Sequence, residues 1–356
     1  NESYRKKVLE NLYFKENNIS KNGNTSMYLK STLMISLFAI PLIVLSLGLV
    51  SSPYLVFGLY LLSGLGTAGI GMCVMHDAIH GSYSKNKTVN NLLSLTMNMI
   101  GANRTVWKIQ HNVLHHSYTN INDADNDLDQ PFFLRFDPHK KHIGIHRYQH
   151  IYFWFFYGLS TLSWITAKDF VKMKQFKKMG FLDKNNEYAK AQFGALAWKL
   201  LYYVYALVLP IIMLPVSTWV IVLSFIAMHF VTGLAIGFVF QMAHIMPSLD
   251  FPLADNSGKV DNNWTVHQLL TTTNFCPNNR VFTWLVGGLN YQVEHHLLPN
   301  ICHVHYHKLA PIVKQTAEEF GIPYHSKATL ADAFKDHVKM LYSLGRPEEK
   351  LTLEAA

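Results

Sequence analysis

The sequence predicts an all-α integral membrane protein: four transmembrane helices in two hairpins beneath a cytoplasmic helical cap. Three observations predict it. About half of the 356 residues are hydrophobic and only 15% are charged, against roughly 25% in ordinary soluble domains. The apolar residues fall in uncharged blocks of bilayer-crossing length rather than at amphipathic spacing. The chain also carries 19 histidines, and the main groups sit at or beyond the ends of those blocks.

Residues 31–50, STLMISLFAIPLIVLSLGLV, form the first span. A signal peptide is the alternative, but no small-residue cleavage signature is clear and a second apolar run at 54–75 follows a Ser-Ser-Pro turn. These two runs make the first hairpin. A second is readable at 198–216 and 218–243, joined by a very short turn. The connections at 51–53 and 217 lack Lys and Arg, whereas the N-terminal segment, the 76–197 loop and the C-terminal tail are rich in both. The positive-inside rule therefore places both termini in the cytoplasm. The chain divides into an N-terminal segment 1–30, hairpin 31–75, cap segment 76–197, hairpin 198–243 and cap segment 244–356. The aromatic run 151–166 is short for a span and is expected to be interfacial or partly buried. The shorter VFTWLVGGL, 281–289, is expected to be buried against the bundle.

The net charge of +8 suits an anionic leaflet, and the apolar blocks argue against a nucleic-acid partner. Cys73, Cys276 and Cys302 lie far apart, which fits neither a disulfide framework nor a zinc ribbon and suits a reducing compartment.

The second span runs into HDAIH, which sets His76 and His80 at i and i+4. HNVLHH brings His111, His115 and His116, QVEHH brings His295 and His296 after Gln292, and His244 ends the fourth span. Any one HxxxH pair is about as readily a solvated polar face, but four groups on one membrane side are hard to ascribe to chance. Eight imidazoles exceed the usual four ligands of one zinc ion, so two metal ions are implied. Imidazole suits zinc, copper, iron and nickel alike. Asp77, Asp123, Asp125 and Glu294 are the adjacent carboxylates that could fix imidazole tautomers, and each also reads as a surface charge.

HDAIH, HNVLHH and QVEHH resemble, in order and spacing, the three histidine boxes of the membrane-bound fatty acid desaturase family, over about residues 30–325. The Gln heading the third box looks like the front-end branch, whose members insert a cis double bond between an existing one and the carboxyl end. The resemblance implies a di-iron pair in the cap held by His76, His80, His111, His115, His116, His244, His295 and His296. Gln292 stands where many members have His, which makes it a weak ligand, a water-holding group or neither. The resemblance further implies O2 as co-substrate and a fatty acyl chain carried on CoA, acyl carrier protein or a lipid. Front-end members often carry a fused cytochrome b5 domain, and no haem-binding His-Pro-Gly-Gly motif occurs here. Electrons are therefore expected from a separate donor, such as ferredoxin or cytochrome b5 with its reductase.

Other motifs have plainer readings. GLGTAG, 64–69, satisfies a dinucleotide fingerprint but lies inside a span, where small residues let helices pack closely. NDADNDLD, 122–129, fails the EF-hand pattern, with Leu128 at the Gly position and Leu134 at the Glu position; a polar segment near the metal face or the headgroup fits better. His142, His146 and His150 form an i+4 stripe beside Lys140, Lys141 and Arg147, a second metal site or, more simply, an interfacial helix. The three bases suit the phosphates of an acyl-CoA or phospholipid headgroup. His229 lies fifteen residues before His244, about 22 Å along a helix, and is read as hydrogen-bonded inside the bundle. CHVHYH, 302–307, is read as support for the third box or cap structure. Two rivals stand beside the desaturase reading: a di-iron hydroxylase on the same scaffold, and a metal transporter or bis-His haem protein. The last two call for ligands at mid-membrane or across spans, and the main histidine groups lie at or beyond the span ends.

Overall fold

The computed structural model describes residues 14–128, 131–255, 259–260 and 263–347. The first thirteen residues of the N-terminal segment, the tail from 348 and Asp129 of the acidic stretch lie outside the described residues. Among the described residues, four helices are long and apolar enough to cross a membrane: Thr25–Ser46, Pro53–His80, Glu187–Met213 and Thr218–His244. Many of their apolar side chains face outward, Leu33, Ile40, Tyr54, Leu65, Leu200, Ile212 and Trp219 among them. So many exposed apolar side chains on these helices suit lipid rather than water. The observed helices are offset from the hydrophobic runs: the first and third start earlier and stop short, at Ser46 and Met213, and the second runs on to His80. The first begins at Thr25 because Asn24 caps it, its Oδ1 accepting from the Met27 N–H at 3.1 Å. The third starts eleven residues before the apolar block at 198. Hydropathy marks only the lipid-facing part of a helix and not the polar turns that extend it.

The chain forms two compact units. One comprises Asn24–Ile109 and Phe155–Gly237 and holds the first three spans with most of the fourth. The second span packs closely on the first and the fourth: a Cβ on Gly66 would lie 2.3 Å from the Phe38 backbone N, and one on Gly64 would lie 2.6 Å from the Met228 carbonyl oxygen. The glycines of GLGTAG thus serve close helix contact. Ser63 Oγ donates to the Phe38 carbonyl at 3.1 Å. His229 lies 2.7 Å from the Tyr202 hydroxyl through Nε2, and Thr161 Oγ1 donates to its carbonyl, so it is hydrogen-bonded within the bundle. Lys199 pairs with Asp169 at 2.7 Å and also donates to the Gly101 carbonyl.

The other unit comprises Asn1–Gly23, Gln110–Trp154 and Phe238–Ala356. Its core gathers Leu269, Val293, Leu297, Leu298, Ile301, Tyr306, Leu309 and Val313 around the third-box helix Gln292–Leu297 and the helix Tyr306–Glu319. One departure from an all-helical chain occurs here: Asn274–Phe275 pairs in parallel with Ser326–Lys327.

Two local expectations are corrected. The 281–289 segment is not wholly buried: in its short helix Arg280–Leu285 no residue is buried, Val281 and Leu285 are exposed, and only the following turn through Val286 and Leu289 is covered. The stripe of His142, His146 and His150 does not exist as one helix face. His142 precedes the 3-10 turn Gly144–Tyr148, and the rings of His142 and His146 are used locally. His146 Nε2 is 2.7 Å from the Phe132 carbonyl and His142 Nε2 is 2.9 Å from the Gly345 carbonyl. The aromatic run belongs to the helix Gln149–Ser163, which buries Phe153 and Tyr157 and exposes Ile151, Trp154 and Phe155.

Candidate metal centre

The second box sits on a π-helical stretch, Lys108–His115, continued by His116–Tyr118. This answers a difficulty in the sequence. In an α-helix His111 and His115 share a face and His116 lies about a third of a turn away, whereas i→i+5 bonding makes both i+4 and i+5 neighbours on the next turn. All three rings therefore converge. His111 stacks on His115 with centroids 5.2 Å apart, and His116 Nε2 is 3.3 Å from His111 Nε2.

The third box brings His295 and His296 to the same place. His295 Nε2 lies 3.0 Å from His116 Nε2, and the His296 ring stacks on that of His116 at 4.4 Å. His244, the last residue of its helix, sets its ring 4.7 Å from His115 and 4.9 Å from His296. All six are buried. His115, His244 and His296 each offer a ring nitrogen within 4.8 Å of the other two, and His116, His295 and His296 form a second such group. The first group carries the test of metal fit. The Nε2 atoms of His115, His244 and His296 are buried and, among the described residues, have no hydrogen-bond partner. Buried polar atoms are almost always satisfied, and one cation among these three nitrogens would satisfy them together.

Two of the rings are held from behind by carboxylates. Asp125 lies 2.9 Å from His115 Nδ1 and Asp127 lies 2.9 Å from His111 Nδ1. A carboxylate accepts only, so these Nδ1 atoms carry a proton, and in the neutral ring Nε2 is then the nitrogen with the lone pair. Asp125 is itself fixed by N–H donors of Asn120 and Asp127, both at 2.9 Å. Asn120, with positive φ, also donates through Nδ2 to the His244 carbonyl at 3.1 Å. Burial works to lower the pKa of His115, but Asp125 and Asp127 outweigh it and raise the value. His296 is pushed well below the ordinary imidazole range by burial and by His116, His115, His244 and His111. It is therefore neutral, the form that binds metal.

The first box lies in the other unit. His76 and His80 stand 4.8 Å apart by ring centroids against Trp107, with Asp77 Oδ1 3.7 Å from His76 Nδ1. A π-helical turn, Ile70–Met75, immediately precedes them.

The remaining carboxylates divide. Asp123 is not buried and meets Asn122; Asp127, which box spacing does not single out, makes the imidazole contact. Alternation of Asp123, Asp125 and Asp127 is the signal that points to it. Glu294 is fully buried but faces Asn274 Nδ2 at 2.7 Å and the Tyr324 hydroxyl at 2.9 Å, not an imidazole. Burial raises its pKa to about 7. Gln292 is fully buried, and neither amide atom has a partner among the described residues. Of CHVHYH, Tyr306 Oη approaches His295 Nδ1 at 3.4 Å, and His305 Nε2 lies 3.1 Å from the Asn22 carbonyl. Gln268 and Thr119 also touch His296, and no local motif announces either. Lys140 and Lys141 line a cavity of about 470 Å³ with Asn122, Arg135, His139 and Phe132, while Arg147 is exposed outside that lining.

Residues 51–328 match the family model for fatty acid desaturases. The chain is 34% identical over 360 residues to the sn-1 linoleoyl-lipid 6-desaturase of Arthrospira platensis, covering 96% of this chain and 92% of that protein. It is 32% identical over 337 residues to the protein of the same name from Synechocystis sp., covering 94% and 92%. With the acyl-lipid (8-3)-desaturase of Physcomitrium patens it shares 33% identity over 358 residues, covering 95% and 70%. A membrane-suited bundle, a buried histidine cluster and matches over nearly the whole chain meet in one conclusion: this protein belongs to the fatty acid desaturase family and is an oxidoreductase of front-end fatty acid desaturation.

Proposed function

We propose that the chain is an O2-dependent acyl-lipid desaturase working at a di-iron centre. It inserts a cis double bond between an existing double bond and the carboxyl end of a glycerolipid-bound acyl chain. The observation that carries the metal assignment is the pair of overlapping imidazole groups, His115/His244/His296 and His116/His295/His296. Together with the histidines of the first box they exceed the ligands that one ion usually takes, which supports two neighbouring ions. His111 joins them through its contact with His116, while His76, His80 and Gln292 are proposed on the box resemblance. The glycerolipid carrier is supported by the names of the relatives from Arthrospira and Synechocystis, both linoleoyl-lipid desaturases.

Bound iron with dioxygen supplies the oxidising power that no side chain has, since an unactivated methylene C–H bond must be broken. Reduction of O2 to two waters takes four electrons; two leave with the two C–H hydrogens and two come from a separate donor, ferredoxin or cytochrome b5 with its reductase. The protein's own part is placement. Asp125 and Asp127 hold protons on Nδ1 of His115 and His111, and burial keeps bulk water from the Nε2 atoms. The distribution of Lys and Arg supports a cytoplasmic position for both termini and the histidines. Lys140 and Lys141 in the cavity, with Arg147 nearby in sequence, are proposed to meet the headgroup phosphate.

The carrier is tested in membranes given O2, a reduced donor and linoleoyl groups on either glycerolipid or CoA. New double bonds should appear on the lipid pool first; products confined to the CoA pool would contradict the proposal. Joint alanine substitution of Lys140, Lys141 and Arg147 should raise the apparent KM while leaving kcat nearly unchanged, and an unaltered KM would remove the headgroup role.

A further inference from the structure

We propose that Gln268 fixes the tautomer of His296 and so presents the His296 Nε2 lone pair to the metal. It is a positioning residue outside the three boxes, and its role rests on the metal reading above. Gln268 lies on the helix Trp264–Thr271 with 0% exposure. Its amide makes three contacts: Oε1 is 2.7 Å from His296 Nδ1 and 2.9 Å from Thr119 Oγ1, and Nε2 is 3.2 Å from the His116 carbonyl oxygen.

The His116 carbonyl settles the orientation of that amide, because it can only accept. Turning the amide over would set two acceptors against each other at 3.2 Å. The amide nitrogen must therefore face His116, which leaves the amide oxygen facing His296 Nδ1. An acceptor there requires Nδ1 to carry the ring proton. A neutral imidazole has one N–H, so Nε2 is left as a bare lone pair, buried and unpartnered beside His115 and His244. A backbone carbonyl in one box thus decides which nitrogen of a ring in another box binds metal, with Gln268 as the intermediary.

Gln268 does for His296 what Asp125 and Asp127 do for His115 and His111, without adding negative charge. The same helix supports two more ligand residues. Trp264 Nε1 donates to the His116 carbonyl at 2.8 Å, and the Thr271 carbonyl lies 3.4 Å from His244 Nδ1. A stretch without a family motif becomes the rear wall of the cluster.

The test measures iron per chain, and its rate of loss to a ferrous chelator, in the purified full-length protein and two variants. Gln268→Met keeps the length of the side chain and removes both donor and acceptor; Gln268→Glu gives up the donor to the His116 carbonyl and keeps an acceptor beside Nδ1. The Met variant should lose iron affinity about 10–100-fold, while the Glu variant should retain most of it. The melting temperature of the iron-stripped protein should be alike in all three, which a merely structural role for Gln268 does not predict. Iron held as tightly in the Met variant as in the wild type overturns the proposal, and so does equal loss in the Glu variant. Should the Met variant not be recovered folded, the Glu variant decides alone: retention supports the tautomer role and loss contradicts it. A wild-type chain that binds no iron would sink the metal reading and this inference together, whereas an iron-loaded wild type with an unaffected Met variant sinks only the inference.

Discussion

Asp125 and Asp127 show how much one carboxylate position decides. Each accepts from an Nδ1–H at 2.9 Å, whereas Asp123 two residues earlier makes no such contact and meets Asn122 instead. Asp127→Ala should lower iron affinity about 10–100-fold, and Asp123→Ala should leave it unchanged; metal analysis of the two purified variants checks the contrast. The box histidines are legible in the sequence because box spacing is local. Asp127 is half legible, as one of three alternating acids, and only the fold picks it out. Gln268 is not legible at all, since its partners His116 and His296 lie 152 and 28 residues away in the chain. His337 offers a separate test of stability. Its buried Nδ1–H donates to the Ile245 carbonyl at 2.9 Å, and burial lowers its pKa to about 4 from 6.5. A native pKa below the unfolded one means that the unfolded chain takes the proton first. This contribution is therefore complete above about pH 6.5 and is lost as pH falls toward 4, by roughly 3 kcal/mol. Unfolding of the wild type and His337→Gln across that window should show a shallower pH dependence in the variant; parallel curves would contradict the assignment.

Helix geometry carries information that residue spacing does not. Spacing alone makes the second box an α-helix, which would turn His116 away from His111 and His115. The π-helical stretch Lys108–His115 instead points all three inward, and a second such turn, Ile70–Met75, ends where His76 begins. Sequence periodicity misses these because one widened turn shifts the pattern by a single residue. Close packing in the bundle is the other property of this scale. Gly64 and Gly66 have no room for a Cβ beside the Met228 and Phe38 backbones. Gly66→Ala should therefore destabilise by about 1–3 kcal/mol, seen as a lower melting temperature in detergent. Gly58, where an added Cβ would meet nothing within 4 Å, should tolerate alanine without that loss.

At the scale of the whole molecule, the four apolar helices and the histidine boxes are readable because hydropathy and local spacing are both written along the chain. Helix limits are less so, since apolar runs report the lipid-facing stretch alone, and the parallel pair of Asn274–Phe275 with Ser326–Lys327 leaves no readable signature. The histidines of the second and third boxes and His244 meet in one compact unit although His111 and His296 stand 185 residues apart, which no local pattern could show. The central claim is that this buried cluster drives front-end desaturation. It is tested most directly by mass spectrometry with double-bond location on lipids from cells that express the wild type or His296→Ala with an electron donor and receive linoleic acid. The account predicts a new double bond on the carboxyl side of the existing ones in the wild type, and none in the variant at equal expression. A hydroxylated acid, or the same new double bond from His296→Ala, would contradict it.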